Sequence, residues 1–284
     1  MKTPAFILAT DLEEYQPAWG QAFQQVAGLS EQCSRELGFQ PNVRLASIEA
    51  TAGEVEKHSL PIVLDEVVNE GAGEIFILPA SLEFSGYQGE AIDQIAARAR
   101  SSHPGLRIYQ DEVDLGHPLI VNCFTDQVVR VLANQAIPPQ RVGLLLAPSG
   151  HGDQTSRAQS YQLMRLLWEN LGIGHASVAF VRNAQPDLRS ELERCLHDQL
   201  LWLLLPQTQW RSEAVEHARL ILEDLQRISA NAESWRILNP PGAHPAISEW
   251  FVQRIVRLWR ENRTVSRFTA PGATATLLQP KVSR

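Results

Sequence analysis

His151 stands in a setting that suits a chemically active imidazole. It occupies the run APSGHGD at 147–153, directly after the apolar segment 142–146. Glycines on both sides let the backbone turn sharply and leave the ring uncrowded. An imidazole at the end of a strand can bind a metal ion through a neutral nitrogen, or accept a proton near neutral pH. The alternative is an anion-binding or capping loop in which this histidine has no chemical role.

Further titratable residues open predicted helices. Glu213 and His217 are four residues apart and therefore share one face of a helix. They could assist His151, or they could be an ordinary pair on a solvated helix. The carboxylates after the first predicted strand could supply oxygen ligands or cap the next helix, and they are Asp11, Glu13 and Glu14.

The elements that position these residues alternate along the chain. Short apolar runs alternate with longer amphipathic ones, which predicts an α/β fold with mostly parallel sheets flanked by helices. The predicted strands are 6–9, 43–48, 74–78, 106–109, 142–147, 177–181, 200–205 and 234–238. The main predicted helices are 17–37, 89–101, 157–171 and 212–229. The same order of elements therefore occurs twice.

Two pairs of landmarks indicate an internal duplication. Pro79 and Pro206 each end an apolar strand. His117 and His244 each precede a proline shortly after a glycine, and their separation along the chain is identical to that of the two prolines. Since each His-Pro turn is present in both halves, we interpret it as a shared structural turn rather than a ligand site.

The duplication predicts two similar lobes that close a cleft between them. We assign residues 1–136 to the first lobe, 137–261 to the second lobe and 262–284 to a loosely ordered tail, with a proline-containing linker at 134–140. Ligands of parallel αβ sheets bind at the carboxyl ends of the strands. The cleft between the lobes is therefore the expected site.

Composition excludes several classes of protein. No apolar run approaches the ~18 residues of a membrane-spanning helix, and no signal segment is recognisable, so we expect a soluble, cytoplasmic protein. The segment 1–136 carries 8 Lys+Arg and 19 Asp+Glu, whereas the segment 137–284 carries 17 and 13. This imbalance fits either two ordinary solvated surfaces or a cleft with unlike walls, and it does not indicate nucleic-acid binding. Three isolated cysteines argue against disulfides and a thiolate metal site.

With these landmarks placed, the chain resembles the CbiX/SirB group of class II tetrapyrrole chelatases, which insert Co²⁺ or Fe²⁺ into sirohydrochlorin. The resemblance spans most of residues 5–258 and is best over 144–157, 177–192 and 74–92 and at the two His-Pro turns. It implies two αβ lobes facing a cleft, a tetrapyrrole partner, a divalent metal as substrate and no organic cofactor. A homodimer is possible.

The resemblance also assigns roles to residues. Where the family places histidines in the first half, this chain has Thr10 or Asp11, and Gln88. The second-half turn keeps its histidine, so the resemblance implies His151 and Glu213 as catalytic residues. We name His151 and His217 as candidate metal ligands. The candidate tetrapyrrole-binding residues are Gln88, Arg157 and Arg211, with Arg182 as a further cation for substrate carboxylates.

Three functional hypotheses remain. The first is an active chelatase, in which His151 delivers the metal ion and Glu213 is its acid/base partner. The second is a carrier or regulator that binds a tetrapyrrole or a metal without turnover, as the altered first-half positions suggest. The third is a receptor for a small ligand of the periplasmic type, which also has two αβ lobes.

Overall fold

A computed structural model describes residues 3–10, 16–48, 54–150, 152–195, 200–228 and 234–268. Within these residues the chain forms eight β-strands and eight α-helices. The strands are β1 (Ala5–Thr10), β2 (Asn42–Ser47), β3 (Glu74–Pro79), β4 (Arg107–Gln110), β5 (Val142–Ala147), β6 (His175–Val178), β7 (Leu201–Pro206) and β8 (Trp235–Ile237). The helices are α1 (Gln16–Leu37), α2 (Leu60–Asn69), α3 (Gly86–Ser102), α4 (Pro118–Gln135), α5 (Gln154–Leu171), α6 (Leu188–Cys195), α7 (Glu213–Ile228) and α8 (Pro245–Phe268).

The strands form two separate parallel sheets with the same topology. Their orders are β2-β1-β3-β4 in the first sheet and β6-β5-β7-β8 in the second. The central strands β1 and β5 are buried along their whole length. Apart from Thr10 at the end of β1, neither strand has a polar side chain, because helices cover both faces of a parallel sheet and leave neither face to water. The predicted duplicated α/β fold is confirmed.

The last helix of each half crosses to the other half. Helix α8 follows the second sheet but packs on α1 and β3 of the first, and α4 follows the first sheet but packs on α5 of the second. The Trp259 ring on α8 lies 6.4 Å from Phe6 and 5.9 Å from Phe76, centroid to centroid. One hydrophobic core therefore continues from the inner face of one sheet to the inner face of the other.

A buried guanidinium fastens α8 to the first sheet. The Arg254 Nε donates to Asp111 Oδ2 at 2.6 Å, and its Nη1 donates to the carbonyl of Pro79 at 2.8 Å. Arg257 donates to the other Asp111 oxygen at 2.6 Å. The Arg254 side chain is also stacked 4.4 Å from the Trp250 ring centroid. The predicted tail starts at residue 262, yet α8 continues to Phe268, and residues 269–284 lie outside the described part.

Both His-Pro turns are helix caps, which agrees with their interpretation as a shared structural turn. The Nδ1 atom of His117 accepts from the backbone N–H of Leu119 at 3.2 Å, at the start of α4. His244 Nδ1 accepts from Ala246 in the same way at the start of α8. Burial, followed by nearby arginines, lowers the pKa of His117 although Asp114 opposes this. These histidines begin the two exchanged helices.

The connection between the halves is short. Ala136 ends α4 in the left-handed conformation, with φ of 52°, and Pro139–Arg141 forms a single turn before β5.

None of the described helices combines the length and apolar character needed to cross a membrane. Cys33, Cys123 and Cys195 are all buried and unbridged. Burial raises the pKa of the Cys33 and Cys123 thiols to about 12, which keeps them unreactive.

Candidate functional site

The loops after β3 and β5 lie against each other at the carboxyl ends of the two sheets. The backbone N–H of Gly86 donates to Asp153 Oδ2 at 2.8 Å, and the Ser156 hydroxyl donates to the carbonyl of Phe84 at 2.7 Å. Gln207, which follows β7, donates to the carbonyl of Leu82 at 3.0 Å. The loop ends of the two lobes therefore meet, as the duplicated αβ pattern predicts.

The turn that carries the candidate histidine needs glycine on both sides. Gly150 has φ of +94°, and a Cβ atom there would overlap the carbonyl oxygen of Arg182. A Cβ atom at Gly152 would lie 2.6 Å from Cβ of Ser156. Only glycine fits both positions without moving the backbone. His151 itself lies outside the described residues, and so do Asp11, Glu13 and Glu14, so the roles suggested for these four residues stay predictions.

Asp153 joins the starts of two helices from different lobes. It is the N-cap of α5, where its Oδ1 accepts from the N–H of Ser156 at 2.9 Å, and its Oδ2 accepts from Gly86 in the first turn of α3. These backbone hydrogen bonds, from Ser156 first and then Gly86, lower the pKa of Asp153. A carboxylate at two helix N-termini is stabilised in its charged form.

A buried carboxylate of the first lobe binds the same turn. Glu83 is only 9% exposed. Its Oε1 accepts from the N–H of Ser149 at 2.6 Å, and its Oε2 accepts from the Ser149 hydroxyl. Sequence reasoning missed Glu83. The signal that could have found it is a single acidic residue between Leu82 and Phe84, in the loop that follows a Pro-ended strand.

Three of the residues chosen from the sequence lie near the turn. Arg157 Nε donates to the carbonyl of Gly152 at 3.0 Å. The backbone N–H of Arg182 donates to the carbonyl of Ser149 at 2.9 Å, and its guanidinium lies 3.6 Å from Glu213 Oε2. The Glu213 side chain is 57% exposed and that of Arg182 is 35% exposed. Glu213 is thus linked to the turn through Arg182 and remains open to solvent.

The other chosen residues have different surroundings. Arg211 is exposed before α7, and His217 is half-buried one turn into α7. Among the described residues, neither contacts the 148–153 segment through a hydrogen bond or ion pair. Gln88 is buried at the start of α3, where its side-chain oxygen accepts from the N–H of Ser85 in a capping box. Capping accounts for Gln88, and its binding role stays a prediction.

Glutamines form a further polar contact between the lobes. Gln209, at 3% exposure, donates to the Gln25 side-chain oxygen at 3.3 Å, and the Trp210 indole donates to the same oxygen at 3.1 Å. Gln207 is fully buried. No pattern in the sequence marks these residues. Within the ranges that the structure describes, no three acidic, histidine or cysteine side chains are grouped to hold a metal ion.

Comparison with known proteins finds similar proteins by structure and none by sequence. No family model and no curated protein sequence matches the chain. It is similar to SirB from Bacillus subtilis solved with Fe³⁺, with a TM-score of 0.70 and 16% identity over 94% of this chain and 98% of that one. CbiX, described as the terminal enzyme for siroheme biosynthesis in denitrifying bacteria, is similar with a TM-score of 0.58 and 17% identity over 89% of this chain and 97% of that one. DR2241 from Deinococcus radiodurans is similar with a TM-score of 0.59 and 16% identity over 90% of this chain and 55% of that one. At such identities the likeness shows the fold, and it is the chelatase fold that the sequence resemblance implies.

Proposed function

We propose that this chain, which has the fold of the sirohydrochlorin chelatases, is a diverged member of that group and inserts Co²⁺ or Fe²⁺ into a tetrapyrrole between its lobes. One observation carries the proposal. The glycine turn that bears His151 lies where the loop ends of the two lobes meet, with the Arg182–Glu213 pair beside it. SirB from Bacillus subtilis has been solved with Fe³⁺, and a SirB has been solved with cobalt.

Metal insertion exchanges two pyrrole protons for one divalent cation, so the reaction needs a metal carrier and a proton acceptor. A neutral imidazole at position 151 binds the incoming metal, releases it to the tetrapyrrole nitrogens and, once free, accepts one of the two pyrrole protons. Glu213 is suited to accept a proton because its carboxylate is 57% exposed and can pass the proton to water. His217 shares the helix face of Glu213 by spacing and is the second candidate for the incoming metal.

Cations near the turn suit a substrate that carries carboxylates. Arg157 and Arg182 are anchored on the turn, and Arg211 is exposed in the neighbouring loop. Guanidinium groups bind carboxylates through paired, charge-assisted hydrogen bonds. The second half carries 17 Lys+Arg against 13 Asp+Glu, whereas the first half is strongly acidic. We therefore expect the second lobe to bind the carboxylates of the tetrapyrrole.

A second candidate function is binding without turnover, as in a carrier or regulator. It is favoured by the first-lobe positions where the family resemblance places histidines. Of the two residues considered for the first position, Asp11 lies outside the described residues, and Thr10 is fully buried at the end of β1. Gln88, at the second position, is buried in a helix cap. Neither the Thr10 nor the Gln88 side chain can replace an imidazole as a proton acceptor. The two functions differ in one observable, which is whether bound tetrapyrrole becomes metallated faster than free tetrapyrrole.

The test is a spectral titration of the purified chain with sirohydrochlorin, with and without Co²⁺ or Fe²⁺. We expect metallation faster than in buffer, with kcat lowered by about 100-fold or more in His151→Ala and in Glu213→Gln. His103→Ala is the matched control, because His103 ends α3 at the far end of the first sheet. Binding without accelerated metallation would favour the carrier. Equal rates for the native chain and His151→Ala would refute the assigned role of His151.

A further inference from the structure

The loop of the first lobe at 83–86 holds the glycine turn of the second lobe on both sides of position 151. Before that position, Glu83 accepts from both the N–H and the hydroxyl of Ser149. After it, the N–H of Gly86 donates to Asp153. Ser149 and Asp153 are four residues apart in the turn, and their partners Glu83 and Gly86 are three residues apart in the loop. The conformation of the turn therefore depends on the docking of the two lobes, not only on local sequence.

We propose that Glu83 is a positioning residue of the metallation site, fixing the 148–153 turn of the second lobe from the first lobe. This inference rests on the proposed function, because it assigns to Glu83 the placing of the group at position 151. Ser149 and Asp153 each stand two residues from position 151 in the chain, so a shift at either anchor is transmitted to that position through the connecting backbone. The lobes must be docked for the turn to have its working geometry.

Burial and hydrogen bonding distinguish Glu83 from Glu213. Each oxygen of Glu83 accepts from Ser149, and the residue is 9% exposed. Glu213 is mostly exposed, and its ion pair with Arg182 is long, at 3.6 Å. A proton shuttle must exchange protons with solvent, and a positioning group must be held rigidly. Glu83 meets the second requirement and Glu213 the first.

Two substitutions at this position separate geometry from charge. Glu83→Gln can keep both contacts, since its amide oxygen accepts from the Ser149 N–H and its amide nitrogen donates to the hydroxyl. Glu83→Ala removes both. We expect Glu83→Ala to lower kcat by about 10- to 100-fold with KM for sirohydrochlorin within about threefold, because small misplacements of a reacting group have large effects on rate. Glu83→Gln should stay within about threefold of the native kcat.

The matched control is Glu90→Gln, which changes an exposed carboxylate one helix turn further along the same lobe. It should leave kcat and KM unchanged. Rates are expressed per bound tetrapyrrole, so that partial unfolding of a variant does not count as loss of kcat. Equal damage in Glu83→Gln and Glu83→Ala would overturn the inference, since it would show that the charge matters and not the geometry. Should Glu83→Ala fail to fold, Ser149→Ala removes one of the two contacts and should give an intermediate loss.

A second readout does not depend on activity. In chain labelled with ¹⁵N-histidine, the imidazole signals of His151 are assigned by their loss in His151→Ala. Glu83→Ala should shift or broaden these signals, whereas Glu83→Gln and Glu90→Gln should not. If the native chain does not metallate sirohydrochlorin, the proposed function fails but this comparison still tests the positioning. Unchanged His151 signals in folded Glu83→Ala would refute it.

Discussion

Replacing Gly150 by alanine should destabilise the chain far more than the same change at another glycine with positive φ. Gly150 has φ of +94°, and an added Cβ would overlap the carbonyl oxygen of Arg182 and lie 3.2 Å from Cβ of Phe180. Gly105, in the turn between α3 and β4, has the same φ of +94° but nothing within 4 Å of its added Cβ. The two substitutions therefore share the backbone strain and differ in the steric clash.

The magnitude follows from three contributions. A residue with a Cβ in the left-handed region costs about 1–2 kcal/mol at either site. At Gly150 the turn must also move by roughly 1–2 Å to reach ordinary contact distance. That movement breaks the backbone bonds that Val181 and Arg182 donate to Pro148 and Ser149, both 2.9 Å long, at about 1 kcal/mol each. Residual overpacking adds about 1–3 kcal/mol. We expect losses of about 4–7 kcal/mol for Gly150→Ala and about 1–2 kcal/mol for Gly105→Ala.

The assay is urea unfolding of both variants and the native chain, followed by tryptophan fluorescence. The difference between the two free energies of unfolding isolates the contact with Arg182. Unchanged m-values would show that the denatured states are comparable. A Gly150→Ala variant within about 0.5 kcal/mol of Gly105→Ala would refute the close packing of the turn against Arg182, since additive errors are of that size.

Two further predictions concern the exchanged helices. Burial lowers the pKa of His117, so its contribution to stability should be complete above the ordinary histidine pKa of about 6.5 and should be lost as pH falls through the folded-state pKa. His117→Asn can cap the helix without titrating, so the free energy of unfolding in urea should depend less on pH between pH 8 and 5 in this variant. An unchanged pH profile would contradict this. Arg254→Met should lower the free energy of unfolding by about 3–5 kcal/mol, because it leaves the buried Asp111 without its buried partner. Arg257 contacts the same Asp111 but its side chain is 53% exposed, so Arg257→Met should lower the free energy of unfolding by less than about 1 kcal/mol. Similar losses for the two arginine variants in urea unfolding would show that burial does not govern this pair.

Much of the fold could be predicted because its signals are local or periodic. The strand at 142–147 is uniformly apolar, as a parallel strand covered on both faces must be. The equal spacing of the paired prolines and paired histidines identifies a repeat, and Pro79 and Pro206 both end the third strand of their half. Gly150 could be singled out because only glycine adopts such a turn readily.

The predicted strand at 177–181 differs from the observed strand in both bounds. The observed β6 is His175–Val178. The N–H of Ala179 still donates to Leu146 of β5, but the N–H of Phe180 donates to Pro186 instead. The N–H groups of Val181 and Arg182 donate to the turn after β5. An apolar run reports that a segment is buried, but not which partner takes its backbone hydrogen bonds.

The sequence by itself therefore determined the α/β class, the duplication and the glycine-flanked turn, because apolar periodicity and glycine requirements act within a few residues. Only the tertiary structure decided that α8 completes the first lobe, that Gln88 caps a helix and that Glu83 binds Ser149 across the lobe boundary. Each of these depends on how two lobes of similar sequence dock. The docking of the lobes depends on the packing of many side chains in one shared core. No single residue type in that core marks in the sequence which residue it will contact.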